Sequence, residues 1–156
     1  MRTLLAVDDD GAALGLVSAG PAPAAWEGRA GVPAPLVPLQ LFQLYVLRAA
    51  HGTGLGAALQ EAAIGSADAY LWIMDGNARA ERFYARHGFR ALAESYPAGG
   101  PWAGQHMHRM LRTGTARAAG RPAHAVPVRS MRCMRCPVQG PPAGKDSARA
   151  RKPCLA

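Results

Sequence analysis

The stretch that decides the fold is Leu41–Leu47 (LFQLYVL), followed after three residues by His51–Gly56 (HGTGLG). The first segment is dense in apolar and β-favouring residues, which predicts a buried strand over Leu39–Leu47. The second is rich in glycine and leads into Ala57–Ile64, whose composition predicts a helix. Glycines leave room for an anion, and free N–H groups at a helix start attract phosphate oxygens. Alone, these glycines fit a phosphate site and a plain strand-to-helix turn equally well.

Two other nucleotide-binding loops fit less well. The spacing is G-x-G-x-G and not G-x-G-x-x-G, and no acidic residue follows at the expected strand end, which argues against a dinucleotide fold. No Gly-Lys-Ser/Thr follows the glycines, which excludes a P-loop.

The second informative stretch is Asn77–Phe89 (NARAERFYARHGF). Asn77 is a good N-cap for a helix over Ala78–His87, and Gly88 suits its C-terminal end. Asn77 and Tyr84 are about two helical turns apart, so both can face one groove. Taken singly, each fits a structural role as well, as a capping asparagine and a core tyrosine.

Together the two stretches closely resemble the GCN5-related N-acetyltransferase (GNAT) superfamily. Its first motif has the form Gln/Arg-x-x-Gly-x-Gly/Ala, matched here by His51, Gly54 and Gly56. The residues that match its second motif are Asn77, Tyr84, Gly88 and Phe89. The resemblance covers residues 3–111, with specific motifs in 41–89.

The resemblance implies an α/β fold with a mixed, mostly antiparallel GNAT-type sheet flanked by helices. The sheet would splay between the strands at 41–47 and 70–74 and form a V-shaped cleft. Because the chain starts at what resembles the family's second strand, the domain would lack the first strand and first two helices. Either the true start lies upstream, or the protein is a partial domain with an exposed sheet edge, in which case part of the acceptor pocket would be missing.

The resemblance also implies an acyltransferase that moves an acetyl group from acetyl-CoA, its cosubstrate, to a primary amine of a small molecule or peptide, without a metal. Asn77 would bond the pantetheine, and Tyr84 would lie near the sulfur, where its O–H can bond or protonate the leaving thiolate. A strand N–H would stabilise the oxyanion. The pantetheine would pair with backbone groups of Leu44, Tyr45 and Val46, and the pyrophosphate would contact His51, Gly52, Thr53, Gly54, Leu55, Gly56 and Ala57.

Several positions depart from the family pattern. His51 replaces the usual Gln or Arg, and Ala57 stands where a basic residue often contacts the phosphates, so we expect weaker cofactor affinity. Trp72 occupies a position where some subfamilies have Glu, and Asp75 is either close to the site or a solvated loop residue. No general base is assigned. The alternative function is a catalytically weak acyl-CoA-binding remnant or sensor.

The rest of the domain is predicted outward from these motifs. An Asp-Gly turn between Thr3–Val7 and Ala13–Ala19 predicts a hairpin, and the Pro- and Gly-rich Gly20–Pro38 predicts a loop. Arg79, Arg82 and Arg86 are spaced as a solvated helix face. Trp26 and Trp102 lie in predicted loops, where they either line the acceptor cleft or pack on the core. Further strands are predicted at Tyr70–Met74, Phe89–Ala93 and Gln105–Leu111.

Composition divides the chain of 156 residues into a domain over 1–112 and a tail over 113–156. The first part has nine basic and nine acidic residues, whereas the tail has nine basic residues and one acid, and so carries the whole net charge of +8. Small residues and prolines without periodicity predict a disordered tail. Its charge makes weak, non-specific nucleic-acid binding a third functional hypothesis.

The remaining sequence features concern cellular location, oligomeric state and metal binding. No apolar run approaches the ~20 residues needed to span a bilayer, and MRTLLAVDDDG does not read as a signal peptide, so we expect a cytoplasmic protein with no membrane partner. A homodimer is compatible with the sequence. Cys133 and Cys136 form half of a zinc motif, with His124 and Cys154 as distant candidates; free thiols fit this spacing better.

Overall fold

The computed structural model describes residues 1–29, 31–114 and 131–133. The strands are β1 (Arg2–Val7), β2 (Ala13–Pro21), β3 (Leu39–Val46), β4 (Ala69–Met74), β5 (Arg90–Pro97), β6 (His106–Arg112) and β7 (Met131–Cys133). The α-helices are α1 (Ala25–Arg29), α2 (Leu55–Ile64) and α3 (Ala78–Arg86), with short 3₁₀ turns at Arg48–Ala50 and Gly100–Trp102. The strands form one sheet in the order β5-β6-β4-β3-β2-β1-β7.

The predicted hairpin at the N-terminus is confirmed, with β1 antiparallel to β2. Its turn is held by Asp8, whose Oδ1 accepts hydrogen bonds from the N–H groups of Asp10 (3.1 Å) and Ala12 (2.7 Å). Gly11 takes a left-handed conformation at φ 84°, which glycine adopts without steric cost. The aspartates and the glycine therefore set the register of β1 against β2.

The sheet is splayed in its middle. Every neighbouring pair of strands is antiparallel except β3 and β4, which run parallel and pair only at Gln40↔Tyr70 and Leu41↔Leu71. Both strands continue beyond these positions without pairing to each other. The predicted mixed, mostly antiparallel GNAT-type sheet and its V-shaped opening are confirmed.

Helices α2 and α3 cover one face of the sheet. From α2, Leu55, Leu59 and Ile64 are buried in a core that also contains Tyr84 of α3 and inward residues of the strands. Asn77 caps α3 as predicted, because its Oδ1 accepts a hydrogen bond from the Ala80 N–H at 3.2 Å. This packing holds the start of α2 and the whole of α3 in place beside the splayed strands.

Two predictions about the segment before the cleft are wrong. The loop predicted at Gly20–Pro38 contains the helix α1, which is held by tertiary contacts of its residue Glu27 and not by composition. The strand predicted to be buried over Leu39–Leu47 is buried only in its first half. Tyr45 is 59% and Leu47 55% exposed, because no strand pairs with this end on the β4 side.

The tail contributes one strand. Within the segment predicted to be disordered, Met131–Cys133 forms β7 and pairs antiparallel with Leu4–Ala6 of β1, so the prediction is wrong for these three residues. The otherwise unpaired backbone groups along the β1 edge explain the pairing. The rest of the predicted tail from 115 onward lies outside the described residues, as do His124, Cys136 and Cys154.

None of the helices in the described ranges combines the length and the hydrophobicity needed to cross a membrane.

Candidate active site

A cleft of about 650 Å³ opens where β3 and β4 diverge. Its lining comes from the end of β3, the turn after it, the start of α2 and one side of α3. Eleven of the twelve predicted site residues border it: Leu44, Tyr45, Val46, His51, Gly52, Gly54, Leu55, Gly56, Ala57, Asn77 and Tyr84. Thr53 is not among the lining residues, and its Oγ1 donates to the Ala50 carbonyl at 2.8 Å.

The glycine turn presents free backbone donors to the cleft. Gly52 and Gly54 have φ angles of 80° and 88°, which glycine adopts readily and other residues do not. Within the described part of the chain, no acceptor bonds the N–H groups of Gly52, Gly54, Gly56 or Ala57. The His51 N–H differs from the prediction, because it donates to the Arg48 carbonyl at 3.1 Å. The backbone N–H groups without an acceptor therefore begin at Gly52.

The side chain of His51 ties the turn to the strand. Its Nε2 lies 2.9 Å from the Val46 carbonyl oxygen, and since a carbonyl can only accept, Nε2 carries the proton in this contact. The imidazole thus closes the end of the β3 edge, leaving one lone pair of the Val46 carbonyl for another donor. In this position the His51 side chain stabilises the turn by linking it to β3.

Cationic side chains of α3 border the same cleft. Arg79 and Arg86 are exposed, as predicted for a solvated helix face, but both also line the cleft, together with His87. Arg82 is not among the lining residues. The spacing of seven places Arg79 and Arg86 on one side of α3, but each follows Asn77 or Tyr84 by two residues, about 200° around a helix. Helical spacing alone therefore did not predict that these arginines border the cleft.

Tyr84 reaches the cleft from the core. Its ring is buried to 9% exposure and makes edge-to-face contacts with Phe83 at 5.1 Å and Phe89 at 5.6 Å. Burial, with a smaller effect from Tyr45, raises the pKa of the Tyr84 phenol to about 12. The phenol therefore stays protonated throughout the neutral range and acts as a hydrogen-bond donor.

Asp75 is not among the residues that line the cleft. Among the described residues, no carboxylate side chain lines the cleft. Asp75 instead accepts from His108 Nδ1 at 2.7 Å and from the Ser95 hydroxyl at 2.6 Å. The hydrogen bond from His108 first, and then that from Ser95, lowers the pKa of Asp75, which weakens it as a base. Asp75 connects the end of β4 to β5 and β6.

The chain matches the profile of a known protein family. The sequence profile described as "Acetyltransferase (GNAT) domain" matches residues 2–91, more than half of the chain. The chain belongs to the GNAT acetyltransferase family. This GNAT chain is also 43% identical over 77 residues to mycothiol acetyltransferase of Parafrankia sp. (strain EAN1pec), a match that covers 46% of this chain and 23% of the relative. The matched region is thus about a quarter of that relative's length.

Solved structures show the same fold. Chaetomium thermophilum Naa20, in complex with a bisubstrate analogue, superimposes with a TM-score of 0.53 at 18% identity, over 76% of this GNAT chain and 70% of that one. Nourseothricin acetyltransferase gives a TM-score of 0.51 at 25% identity, over 68% and 61% of the two chains. The resemblance stated from the two sequence motifs is confirmed.

Proposed function

We propose that this GNAT protein is an N-acetyltransferase that transfers the acetyl group of acetyl-CoA to a primary amine of a small molecule or peptide. The observation that carries the proposal is the arrangement of one cleft. Free amides lie at its α2 end, an unpaired strand edge runs along it, and the Tyr84 phenol borders it. These are the groups needed to hold a diphosphate, an amide-containing arm and a thioester.

The diphosphate end is supported by charge and geometry. The N–H groups of Gly52, Gly54, Gly56 and Ala57 surround the N-terminus of α2, where the helix dipole adds partial positive charge. Arg79 supplies a full charge that Ala57 does not. Arg79 on α3 thus replaces the positive charge that the family often has at position 57. Acetyl-CoA affinity should therefore fall less than Ala57 alone would suggest.

The unpaired edge of β3 supports the placement of the pantetheine arm. The Leu47 N–H bonds the Leu14 carbonyl of β2 at 2.8 Å. Because successive N–H groups of a strand point to opposite edges, those of Val46 and Leu44 point towards the cleft. Amide groups of the arm can pair with this edge as a further strand would. The Leu44 and Val46 N–H groups are the candidates to stabilise the oxyanion that forms when the amine attacks.

Tyr84 is proposed to stabilise the leaving thiolate by a hydrogen bond. A phenol with a pKa of about 12 is a weaker acid than a thiol, whose ordinary pKa is about 8.5. The equilibrium for full proton transfer to the thiolate is therefore unfavourable by a factor of roughly 3,000. A hydrogen bond to the negative sulfur has no such cost. The structure therefore favours the donor role of Tyr84 over the general-acid role.

The attacking amine has to lose a proton. Since Asp75 is engaged by His108 and Ser95, and no carboxylate lines the cleft within the described residues, water takes this proton. An amine of low pKa would then react faster than a strongly basic one. This dependence separates the water route from a side-chain base.

Calorimetry and turnover together test the proposal. Acetyl-CoA should bind with one site per chain, and a panel of primary amines should contain acceptors that release free CoA thiol in a saturable manner. In Tyr84→Phe, binding should persist while turnover falls. If acetyl-CoA fails to bind, the assignment of the cleft is wrong.

The same experiment decides the second candidate, an acyl-CoA-binding sensor. The lack of a carboxylate at the cleft within the described residues is the observation that favours it. Acetyl-CoA binding without turnover on any amine of the panel would support this candidate and contradict the enzymatic proposal.

A further inference from the structure

The sheet face opposite α2 and α3 contains a buried arginine with few partners. Arg109 of β6 is 5% exposed. Its Nη1 donates to the Pro33 carbonyl at 3.0 Å, and its Nη2 lies 3.9 Å from Glu94 Oε2, too far for a hydrogen bond. Its Nε has no acceptor among the described residues. A buried guanidinium is costly unless an anion compensates it, and the ion-pair partner of Arg109 among the described residues is the exposed Glu94, at a distance that compensates the charge only weakly.

A second unpartnered donor lies beside it. Trp72 of β4 is the cross-strand neighbour of Arg109, and the guanidinium carbon lies 5.5 Å from the centroid of the Trp72 ring. The indole Nε1 is also buried without an acceptor in the described part of the chain. Arginine and the indole N–H are donors only. A single acceptor that carries negative charge could therefore bind both groups.

The surroundings narrow the ligand to a small organic anion. The ring centroid of Trp26 in α1 lies 5.2 Å from that of Trp72, and the ring centroid of Tyr96 in β5 lies 5.6 Å from it. Aromatic rings therefore flank the two donors. Glu94, the nearest carboxylate, is 63% exposed and is held by the Tyr96 hydroxyl at 2.8 Å. A planar carboxylate matches the edge of a guanidinium better than a monatomic anion does.

The location connects this face to the proposed reaction. Leu71 is the last residue of β4 that pairs with β3, so Trp72 is the first at the opening of the splay. Leu71 and Ile73 point into the core with α2 and α3, and strand alternation directs Trp72 to the other face. A thioester lying in the cleft would thus be approached through the splay from the Trp72 side.

We propose that Arg109 and Trp72 form a carboxylate subsite, and that the acceptor is an amino acid or a similarly small amine bearing a carboxylate. This inference rests on the proposed acetyl transfer and deepens it by naming the acceptor class. Glu94 occupies the neighbourhood of Arg109 in the absence of the acceptor and competes with its carboxylate.

Matched acceptors provide the kinetic test. Methionine and methioninamide share a side chain and differ at the carboxylate, and the amide has the less basic amine, which favours it chemically. The unmodified protein should still prefer methionine in kcat/KM. Trp72→Phe keeps an aromatic ring but removes the N–H, and should lower that preference roughly 10- to 150-fold, as expected for one hydrogen bond to a charged group. Glu94→Gln should strengthen it by removing the competing charge.

A binding measurement keeps the test independent of turnover. The chain has three tryptophans, so ¹⁵N spectra contain three indole N–H signals, and Trp72→Phe assigns one of them. N-acetylmethionine should shift the Trp72 signal, whereas its amide should not. Arg109→Lys, which keeps the charge but loses the planar fork, should weaken the shift.

The outcomes separate the two proposals. Equal use of methionine and its amide, preference for peptides over free amino acids, or a Trp72 signal that neither compound moves would each overturn the carboxylate subsite and leave the acetyltransferase proposal standing. Absence of turnover on every amine, with a Trp72 signal that responds to the carboxylate, would overturn the acetyltransferase proposal and keep the subsite as an anion-binding site.

Discussion

Replacing Tyr84 by phenylalanine removes one oxygen atom from the cleft and keeps the ring. The hydroxyl has no hydrogen-bond partner among the described residues, and the edge-to-face contacts with Phe83 and Phe89 involve only the ring. No protein group loses a partner, so the free energy of unfolding should change by less than about 1 kcal/mol. Acetyl-CoA affinity should likewise stay close to that of the unmodified protein.

The effect on turnover should be much larger. A hydrogen bond to a charged group contributes about 1.5–3 kcal/mol, which corresponds to roughly a 10- to 150-fold loss in kcat if the phenol bonds the thiolate only as it leaves. The assay is release of free CoA thiol at saturating acetyl-CoA, alongside calorimetry of acetyl-CoA binding and a thermal unfolding curve for each variant.

The pH dependence of kcat tests whether Tyr84 stays protonated. Because burial raises the pKa of Tyr84 to about 12, its proton remains bound well above pH 10, where an ordinary tyrosine would begin to lose it. The kcat of the unmodified protein should therefore show no decline from Tyr84 between pH 8 and about 10.5. A descending limb with a midpoint near 10 that disappears in Tyr84→Phe, or a Tyr84→Phe protein with full kcat, would refute this reasoning.

Three further predictions concern the glycine turn, the arginines of α3 and the hydrogen bonds of Asp75. Gly54→Ala should lower the free energy of unfolding by about 1–2 kcal/mol, because φ at this position is 88°, whereas Gly99→Ala, at φ −105° with open space around it, should not; thermal unfolding of both variants compares them. Arg79→Gln and Arg86→Gln should each weaken acetyl-CoA binding several-fold in low-salt calorimetry, an effect that shrinks as salt is added, while Arg82→Gln on the same helix should leave affinity unchanged. Hydrogen bonds from His108 and Ser95 lower the pKa of Asp75, so its contribution to stability is present above its unfolded pKa of about 4 and is lost as the pH falls through its lower folded value. Urea unfolding of Asp75→Asn should accordingly differ from that of the unmodified protein at pH 6 and converge with it in acid.

Local signals were sufficient for most of the fold. The Asp-Gly turn, the apolar run at 39–47, the Asn77 cap and the glycines that end helices each act within a few residues, so the hairpin, β3, α2, α3 and the later strands were predictable. The α1 helix was not, because Glu27 is fixed by the Tyr70 hydroxyl, 43 positions away in sequence. Strand β7 likewise depends on the distant edge of β1.

The candidate site divides in the same way. The motifs named eleven residues that the fold does bring to one cleft, since each motif sits at a fixed place relative to β3, α2 or α3. Arg109 gave no such signal, and the sequence left open whether Asp75 lies close to the site. What distinguishes Arg109 is burial without an anion, and what distinguishes Asp75 is contact with His108 and Ser95 on other strands; both depend on tertiary packing.

The short pairing between β3 and β4 has a mechanical consequence. Only two register positions join the β1–β3 part of the sheet to the β4–β6 part. A ligand that pairs with the free edge of β3 while contacting α3 would add contacts across the seam between these two parts of the sheet. If the ligand binds only the folded state, it would raise the free energy of unfolding by RT ln(1 + [L]/Kd). Amide exchange at the strand ends flanking the seam should therefore slow on binding far more than exchange in the β1–β2 hairpin.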